Sequence, residues 1–496
     1  MAAQDEWSVD SNDAISVSLV QPSSDGLQPV IQFHPQFTYP IFGEAESIFG
    51  YKDLEIGLRF AAHDLRPNSQ ISYNSKFKTV GDTSALDLNK TLKDFLPSSA
   101  FENTFDDALL NDVSAKDWTP PGELVKSYSR NGETFEIWAA ALSDPRMKEL
   151  VGNIQIFILF FIEGGQYLDL DDVDWTLDRW RVYLVYKKLS LPPTPQASPY
   201  CFIGYATTYR FYRFLAPARK PQTPEQLEPF PPKEALSAKR LSSRLRISQF
   251  LVLPNYQRGG HGSALYEAIY GEAMADDTIL ELTVEDPSEE FDKLRDVNDF
   301  KILRPEFEKA GVQLNTDPFA KASRGSIRRV PTATLLPVEK LKDIRKRYKI
   351  AARQFSRLTE LFLLANIAFS HRQLGGGSLT ALKVKGARAS DPNDRSYYWW
   401  RILLKQRILK KNKDVLIQLP VEDRVSKIED SASGQEDEYE GILLLHATSL
   451  QKEQERNGNG SSETGPSVIR KRKVVDDDDD EDEDAEDDVS SKRQKA

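Results

Sequence analysis

The chain has 496 residues, of which 40% are hydrophobic and 28% charged, and its formal net charge is −11. This length predicts about three domains, or two domains and a long tail, and the composition is that of a globular protein rather than a fibrous or disordered one. The longest apolar run, residues 154–162, is far shorter than the ~20 residues of a membrane span, and no signal-peptide pattern opens the chain. We therefore expect neither a membrane protein nor a secreted one.

The cysteine content indicates the cellular compartment, and the charge distribution indicates which kinds of partner to expect. Cys201 is the single cysteine, so an internal disulfide framework is excluded and a reducing, intracellular compartment is expected. Apart from a strongly charged tail, the chain is only mildly acidic. Binding of duplex DNA depends on many Lys and Arg contacts with phosphate, so direct DNA binding is not expected and a basic partner fits better.

The first 300 residues are predicted to form two domains. Residues 1–130 alternate short apolar segments with turn formers, which indicates a mixed domain of strands and loops. Residues 131–300 show a helix and then strong strands interleaved with helices, which predicts an α/β (α+β) domain. Residues 215–233, rich in Pro and Lys, are interpreted as a surface loop of this domain. The predicted strands are residues 14–20, 30–33, 54–60, 154–162, 180–186, 200–209, 245–253 and 278–284.

The rest of the chain is predicted to be helical and then disordered. Residues 301–423 form a predicted helical domain, with helices over 338–352, 353–369 and 397–409, because apolar residues recur there at helical spacing. Residues 424–496 become rich in Glu, Gln, Ser, Asn and Gly and end in an acidic run, so they are predicted to be a disordered tail.

The clearest chemical signal is a glycine-rich turn between a predicted strand and a predicted helix. The first turn of a helix carries unpaired N–H groups and the positive end of the helix dipole, so it can hold a diphosphate, and glycines allow the close approach. The turn is neither a Walker loop nor a Rossmann turn, since it lacks Gly-Lys-Ser/Thr and a downstream acidic ribose ligand. Taken alone, an ordinary strand-helix connection stays open as an alternative. Its residues are Gln257, Arg258, Gly259, Gly260, His261, Gly262 and Ser263.

Several motifs together resemble a known family. The pattern Gln257-x-x-Gly260-x-Gly262 is similar to the signature with which GNAT acetyltransferases bind the pyrophosphate of acetyl-CoA. Over about residues 30 to 300, the chain more narrowly resembles the catalytic subunits of type B histone acetyltransferases. The matching segments are residues 33–43, 48–52, 160–163, 247–251, 257–262, 284–287 and 292–296.

The resemblance implies a GNAT core that uses acetyl-CoA as co-substrate. Cofactor contacts are implied for the strand residues Phe250, Leu251 and Val252, for the turn from Gln257 through Ser263, and for Ser288, where some relatives carry Asn. His261 is interpreted as a tolerated turn residue rather than a catalyst. No metal is expected, because the histidines of the chain lack metal-ligand spacing.

Three carboxylates are implied around the acceptor lysine. Glu285 is the candidate general base, since a lysine with a pKa near ~10.4 must lose a proton before it can attack. We expect partial burial of Glu285 beside an apolar strand, which would raise its pKa. Asp286 has a second interpretation as the N-cap of a helix over 290–296, and the two roles can coexist. Glu163 matches a further family carboxylate and is equally compatible with a solvated strand end.

The resemblance also implies contacts with a histone tail. They fall on Glu44, Ala45 and Glu46 in the first domain and on Tyr209, Arg210 and Phe211 in the second. Acidic side chains suit a Lys-rich and Arg-rich peptide, and aromatic walls can shape a slot for the lysine stem. The side chain of Arg210 is expected to point away from an extended peptide.

The function implied is acetylation of lysines in the N-terminal tail of free, newly synthesised histone of the H-four type, with Glu285 as base. Two alternatives stay open, an acidic histone-binding chaperone on a GNAT scaffold and a GNAT enzyme for protein α-amines. A WD-repeat β-propeller histone-binding subunit is the implied partner. Basic clusters at 470–473 and 492–495 are interpreted as nuclear-import signals or as charge that flanks the acidic run, and cytoplasm and nucleus are the expected locations.

Overall fold

The structure, a computed structural model, describes residues 6–213, 241–319, 331–373 and 391–458, with side chains as far as residue 448. The strands are β1 (Ser8–Asp10), β2 (Ile15–Ser23), β3 (Gly26–Phe33), β4 (Ser47–Phe49), β5 (Tyr51–Lys52), β6 (Glu55–Ala61), β7 (Pro67–Ser72), β8 (Ser75–Lys76), β9 (Glu123–Arg130), β10 (Glu133–Ala141), β11 (Trp180–Lys188), β12 (Tyr200–Tyr212), β13 (Ser243–Val252) and β14 (Ile279–Val284).

The helices follow the same chain order. They are α1 (Ser11–Ala14), α2 (Tyr39–Phe42), α3 (Leu88–Lys93), α4 (Phe105–Leu110), α5 (Pro145–Ile154), α6 (Ile156–Phe161), α7 (Asp174–Leu177), α8 (His261–Ala275), α9 (Glu289–Lys309), α10 (Thr332–Leu335), α11 (Val338–Arg347), α12 (Ala352–Ala365), α13 (Pro392–Lys411), α14 (Lys413–Leu416) and α15 (Val421–Gly458).

The centre of the fold is a six-stranded sheet in the order β14-β13-β12-β11-β10-β9. Its neighbours pair antiparallel, except that β13 and β14 run parallel. The predicted strands over 180–186, 200–209, 245–253 and 278–284 are confirmed, and β9 and β10 add a hairpin that the sequence reading did not include. Along β13 buried and half-buried positions alternate, as expected for a strand with both faces covered by different layers.

The edge strand β14 and its neighbour β13 separate halfway along β13. Their parallel pairing ends at Ile247 and Val284, whereas β13 continues to Val252. At the same level β13 contains a β-bulge: Ile247 pairs with Thr208 and Gln249 with Thr207, so Ser248 is the extra residue. The edge of β13 beyond Ile247 is therefore not paired with β14, and the bulge bends the strand where the two separate.

Each face of the sheet packs against a different layer. On one face Leu184, Tyr205 and Leu251 share an apolar core with α5, α6 and the first block, which comprises residues 6–130. On the other face Leu245 and Ile247 share a core with α8, α9 and the C-terminal helices. The central sheet thus lies between two layers, and β13 and β14 separate at the edge of the sheet that β14 forms.

The strand predicted over residues 154–162 is wrong. These residues lie in α5 and α6, and α5 begins at the N-cap Asp144, whose carboxylate accepts hydrogen bonds from the main-chain N–H groups of Arg146 and Met147. Residues 156–160 are buried on every side, so a continuous apolar run shows no helical period and resembles a buried strand.

The first block contains a four-stranded sheet in the order β3-β2-β6-β7, which confirms the strands predicted over 14–20, 30–33 and 54–60. The helices predicted after residue 300 are confirmed by α11, α12 and α13, within about five residues at each end. The mixed α/β class with C-terminal helices is therefore confirmed. In the described residues, no helix combines the length and the apolar character needed to cross a membrane.

The disorder predicted from residue 424 onward is wrong for the first part of that segment. Residues 421–458 form α15, and Ala432, Glu436, Tyr439 and Ile442 are fully buried. Contacts divide the chain into two units, Met1–His446 and Ala447–Ala496, and the boundaries predicted at residues 130, 300 and 423 stay predictions. The predicted loop over 215–233, the basic clusters and the acidic run lie outside the described residues.

Candidate functional site

The glycine-rich turn leads directly into α8, as predicted. Gly260 is the N-cap of this helix and has φ 83°, a left-handed conformation that favours glycine, and Arg258 also has a positive φ of 60°. The cap has no side-chain hydrogen bond. The residue at the N-cap therefore provides no capping side chain for the N–H groups of the first turn of α8, an arrangement that can hold a phosphate.

A basic side chain that the sequence reading missed lies beside this turn. The guanidinium of Arg130, at the end of β9, has Nη2 3.3 Å and Nε 3.4 Å from the position that a Cβ on Gly260 would occupy. The sequence contained a signal for the hairpin that carries Arg130, because Asn131-Gly132 joins two runs of alternating residues and is a typical two-residue hairpin turn. In the structure both residues have the positive φ that this turn needs. The hairpin brings a cation to the N-terminus of α8.

His261 faces the core rather than the ligand side of the turn. Its ring is 5% exposed, its Nδ1 lies 2.9 Å from the hydroxyl of Tyr128, and its ring centre lies 4.4 Å from that of Phe135. Burial, and then the nearby charge of Arg130, lowers the pKa of His261. The ring thus fills a structural position, and the cofactor contact predicted for His261 stays a prediction.

Gln257 ties the turn to the preceding strand. Its Nε2 donates a hydrogen bond of 3.0 Å to the carbonyl oxygen of Val252. The predicted cofactor residues Phe250, Leu251 and Val252 are on the part of β13 that has left β14, and the ring of Phe250 packs edge-on against Phe291 of α9 at 4.9 Å. The part of β13 that is not paired with β14 and the glycine turn are consecutive along the chain, and the cofactor contacts predicted for both stay predictions.

Glu285 follows β14 at the point where the strands part. Its N–H donates to the carbonyl oxygen of Ile247 over 2.9 Å, and its carboxylate lies 3.0 Å from Nη2 of Arg246. The apolar burial that we expected is wrong, because the side chain is 40% exposed and paired with a cation. Arg246 in turn stacks over Phe211, with 4.4 Å between the guanidinium carbon and the ring centre.

Asp286 is not the helix cap. The N-cap of α9 is Ser288, whose hydroxyl accepts a hydrogen bond of 3.2 Å from the N–H of Phe291. Asp286 is exposed and has φ 29°, which places it in the tight turn between β14 and α9. The capping interpretation of Asp286 is therefore wrong, its predicted role near the lysine stays a prediction, and the hydroxyl of the predicted cofactor residue Ser288 already accepts a bond from its own helix.

Glu163 lies in the turn after α6, so its interpretation as a strand end is wrong. The side chain is exposed, and the turn is held from two sides: the N–H of Gly164 donates to the hydroxyl of Tyr39 over 3.2 Å, and Nε2 of Gln249 donates to the carbonyl oxygen of Gln166 over 3.3 Å. The structure therefore brings the Glu163 turn, the first block and β13 together.

The predicted peptide-binding segment forms an aromatic row on the same face as Arg246. Tyr209 pairs across the sheet with Trp180 and with Arg246, and its ring centre lies 4.7 Å from that of Phe211. Arg210 points to the opposite face, where its Nη2 forms an ion pair of 2.6 Å with Asp276. Arg210 thus points away from the face of Tyr209 and Phe211, and contact of these residues with a peptide stays a prediction.

The acidic segment of the first block has one engaged and one free carboxylate in the described structure. Oε1 of Glu46 accepts hydrogen bonds from the main-chain N–H groups of Thr38 (2.5 Å) and Tyr39 (3.0 Å), which lower the pKa of Glu46, the Thr38 bond most. Glu44 and Ala45 are exposed. Glu46 thus holds its own loop, and contact of this segment with a peptide stays a prediction.

One group of described residues has atoms close enough to hold a metal ion, and it lies away from the predicted site. His371, Asp391 and Asp394 place their ligand atoms within 4.8 Å of one another. Nδ1 of His371 is 2.8 Å from Oδ1 of Asp394, and Oδ1 of Asp391 caps α13 by accepting from the N–H groups of Asn393 and Asp394. These atoms already have protein partners, so the group is explained by helix capping.

Comparison with known proteins places these observations in a family context. A family model described as the N-terminus of the histone acetyl transferase HAT1 matches residues 7–163, and one described as the C-terminal part of fungal HAT1 matches residues 321–368. A histone acetyltransferase type B catalytic subunit from Aspergillus oryzae is 50% identical over 472 residues, which cover 94% of this chain and 91% of that protein. The corresponding protein of Aspergillus fumigatus is 50% identical over 443 residues, covering 88% and 77%.

Among solved structures, an aminoglycoside acetyltransferase from an uncultured soil metagenomic sample is similar to part of the chain. It is 14% identical, with a TM-score of 0.19, and the match covers 40% of this chain and 97% of that one.

Proposed function

Because the chain belongs to the family of type B histone acetyltransferase catalytic subunits, we propose that it transfers acetyl from acetyl-CoA to lysines in the N-terminal tail of free, newly synthesised H-four-type histone. The fold class is that of a GNAT acetyltransferase core with a mixed first block and C-terminal helices. The observation that carries the proposal is the parting of β13 and β14 between the glycine turn and Glu285.

The residues around this gap fit acetyl-CoA. The outward N–H groups at the start of α8 and the guanidinium of Arg130 suit its diphosphate. The amide-containing pantetheine arm suits the part of β13 after Ile247 that is not paired with β14, because an extended chain can add to a strand edge through main-chain hydrogen bonds. Acetyl-CoA supplies the acetyl group as an activated thioester, and the protein supplies position and proton transfer.

Glu285 is proposed as the base for this reaction. It lies at the end of β14, beside the unpaired edge, and is accessible to a substrate ammonium. Arg246 holds its carboxylate on the face of the sheet that carries Tyr209 and Phe211, so the base and the aromatic row share one face. A lysine stem that lies along the aromatic row would bring its ammonium to Glu285, which takes a proton and frees the amine for attack.

The test compares wild type with Glu285→Gln on two peptides, a lysine-containing H-four-type tail and a lysine-free peptide with a free α-amine. We expect transfer to the lysine peptide to fall at least ~100-fold in the variant while acetyl-CoA binding persists. Glu289→Gln is the matched control, because Glu289 is an exposed glutamate on the first turn of α9. Transfer only to the α-amine would favour the α-amine enzyme, and tight histone binding without transfer would favour the chaperone.

We also propose a WD-repeat β-propeller histone-binding partner, action before chromatin assembly, and residence in cytoplasm and nucleus. The relatives are named catalytic subunits, which supports a partner subunit, and the basic clusters at 470–473 and 492–495 support import. Co-purification with a recombinant WD-repeat histone-binding subunit would test the partner, and relocation after replacement of both clusters by alanine would test the location.

A further inference from the structure

The bulge at Ser248 brings two polar side chains to one face of the sheet. Residues three apart on a regular strand point to opposite faces. Arg246 pairs with Tyr209 and Gln249 pairs with Thr207, and these partners are two apart on β12, so they share a face. Because of the extra residue, Arg246 and Gln249 lie on the same face, and Arg246 is paired there with Glu285.

The side chain of Gln249 is buried but only half satisfied. It is 6% exposed, and its Nε2 donates to the carbonyl oxygen of Gln166. This contact fixes the orientation of the amide, because the opposite orientation would set Oε1 against a carbonyl oxygen. Oε1 has no hydrogen-bond partner among the described residues, nor has the buried Oγ of Ser248. Buried polar atoms without a hydrogen-bond partner are uncommon, and at a reaction site such an atom indicates a position where a ligand could bind.

Gln249 also lies between the two carboxylate-bearing segments. Its donor group holds the turn that carries Glu163, and Ile247, two residues before it on β13, accepts the N–H of Glu285. The residue with the buried acceptor is thus connected to both segments, to the Glu163 turn by its side chain and to Glu285 through the main chain of β13.

We propose that Oε1 of Gln249 accepts a hydrogen bond from the ε-amine of the acceptor lysine and orients its lone pair. The proposal rests on the proposed lysine acetylation. An ammonium has three N–H groups. One proton goes to Glu285, one N–H is held by Gln249, and the freed lone pair attacks the thioester carbon.

The reaction balances with these groups alone. Attack of the amine forms the new C–N bond and gives a tetrahedral intermediate. Collapse of this intermediate breaks the C–S bond, and the thiolate leaves. The nitrogen loses a second proton, the thiolate gains one, and the products are the amide, the free thiol and one proton released through Glu285. Gln249 changes neither its charge nor its bonds, so its effect is on orientation.

The experiment measures kcat and KM for a lysine peptide and for the same peptide with ornithine, whose side chain is one methylene shorter, using full-length protein. Gln249→Met keeps the volume and removes the acceptor, and Gln249→Asn keeps an amide and withdraws it. We expect kcat/KM for lysine to fall about 10- to 100-fold in both, and the lysine-to-ornithine preference to shrink, because ornithine does not reach Oε1 in wild type. Gln21→Met is the matched control, since Oε1 of Gln21 is likewise buried without a partner in the described structure, but on β2.

The outcomes are distinguishable. Wild type without lysine transfer would defeat the proposed function itself. Wild-type transfer with an unchanged lysine-to-ornithine preference in both variants would overturn the role of Gln249. A parallel loss on both peptides, together with a lowered melting temperature, would assign Gln249 to support of the Glu163 turn, and would overturn the proposal equally.

Discussion

Replacing Arg130 by alanine tests whether the cation beside the glycine turn binds the cofactor. Its guanidinium lies within about 3.5 Å of the position of a Cβ on Gly260, the N-cap of α8. Two unit charges ~4 Å apart interact by about 1 kcal/mol in water and about 4 kcal/mol at an effective dielectric constant of 20. Arg130 is exposed, so the lower part of this range applies, about 1–2 kcal/mol, which corresponds to a roughly 5- to 30-fold weaker Kd.

Calorimetric titration of acetyl-CoA into wild type and Arg130→Ala measures this difference, and titration of acetyl-pantetheine, which lacks the diphosphate, separates charge from fold. We expect equal affinity for acetyl-pantetheine and a gap for acetyl-CoA that narrows as salt is raised from ~0.1 to ~1 M, since the Debye length falls from ~10 to ~3 Å. Lys126→Ala is the matched control, because Lys126 is on the same strand and is paired with Glu267 at 2.6 Å. Unchanged acetyl-CoA affinity, or an equal loss for both ligands, would refute the reasoning.

Three further predictions concern stability, each measured by denaturant unfolding. Gly204→Ala would set a Cβ 2.5 Å from a main-chain oxygen of the neighbouring strand, so a loss of about 2 kcal/mol is expected, whereas Gly57→Ala, whose nearest neighbour is 3.8 Å away, should stay within ~0.5 kcal/mol. Burial raises the pKa of Asp299 to about 6, so the folded state binds its proton more tightly than the unfolded state. Its contribution therefore weakens by up to ~3 kcal/mol as pH rises from ~4 to ~7, and Asp299→Asn should remove that slope; an equal slope in both proteins would contradict it. Arg357→Met leaves the buried carboxylate of Asp296 unpaired and should cost about 3–5 kcal/mol, and a variant as stable as wild type would show that the pair is not needed.

The parts of the site that depend on neighbouring residues in the chain were predictable. The glycine turn, the strand before it and the helix after it are all encoded within residues 243–275, and the structure has them as predicted. The same holds for Glu285 at the end of β14. Local patterns of apolar residues and glycines determine these elements directly, so no knowledge of tertiary contacts was needed.

Prediction failed where burial hides the helical period or where polar residues pair across helices. Residues 154–162 are apolar throughout, and only the Asp144-Pro145 start marks them as helical. In α15 the polar composition indicated disorder, yet Glu436 forms an ion pair with Arg401 of α13, and Glu438 forms one of 3.0 Å with Arg357 of α12. Such partners are distant in sequence, so composition alone could not reveal that these charges are satisfied.

The bulge explains why the position of the site could be predicted from the sequence, whereas the shared face of Arg246 and Gln249 could not. A strict period of two would have put Arg246 and Gln249 on opposite faces, and only the observed register, with Ser248 as the extra residue, puts both on the face where Arg246 pairs with Glu285. The same bulge lies where β13 leaves β14, so in the proposed reaction one inserted residue serves both the acetyl-CoA side and the lysine side of the site. Removing Ser248 would therefore disturb donor and acceptor binding together, whereas changes at Gln249 should affect the acceptor alone.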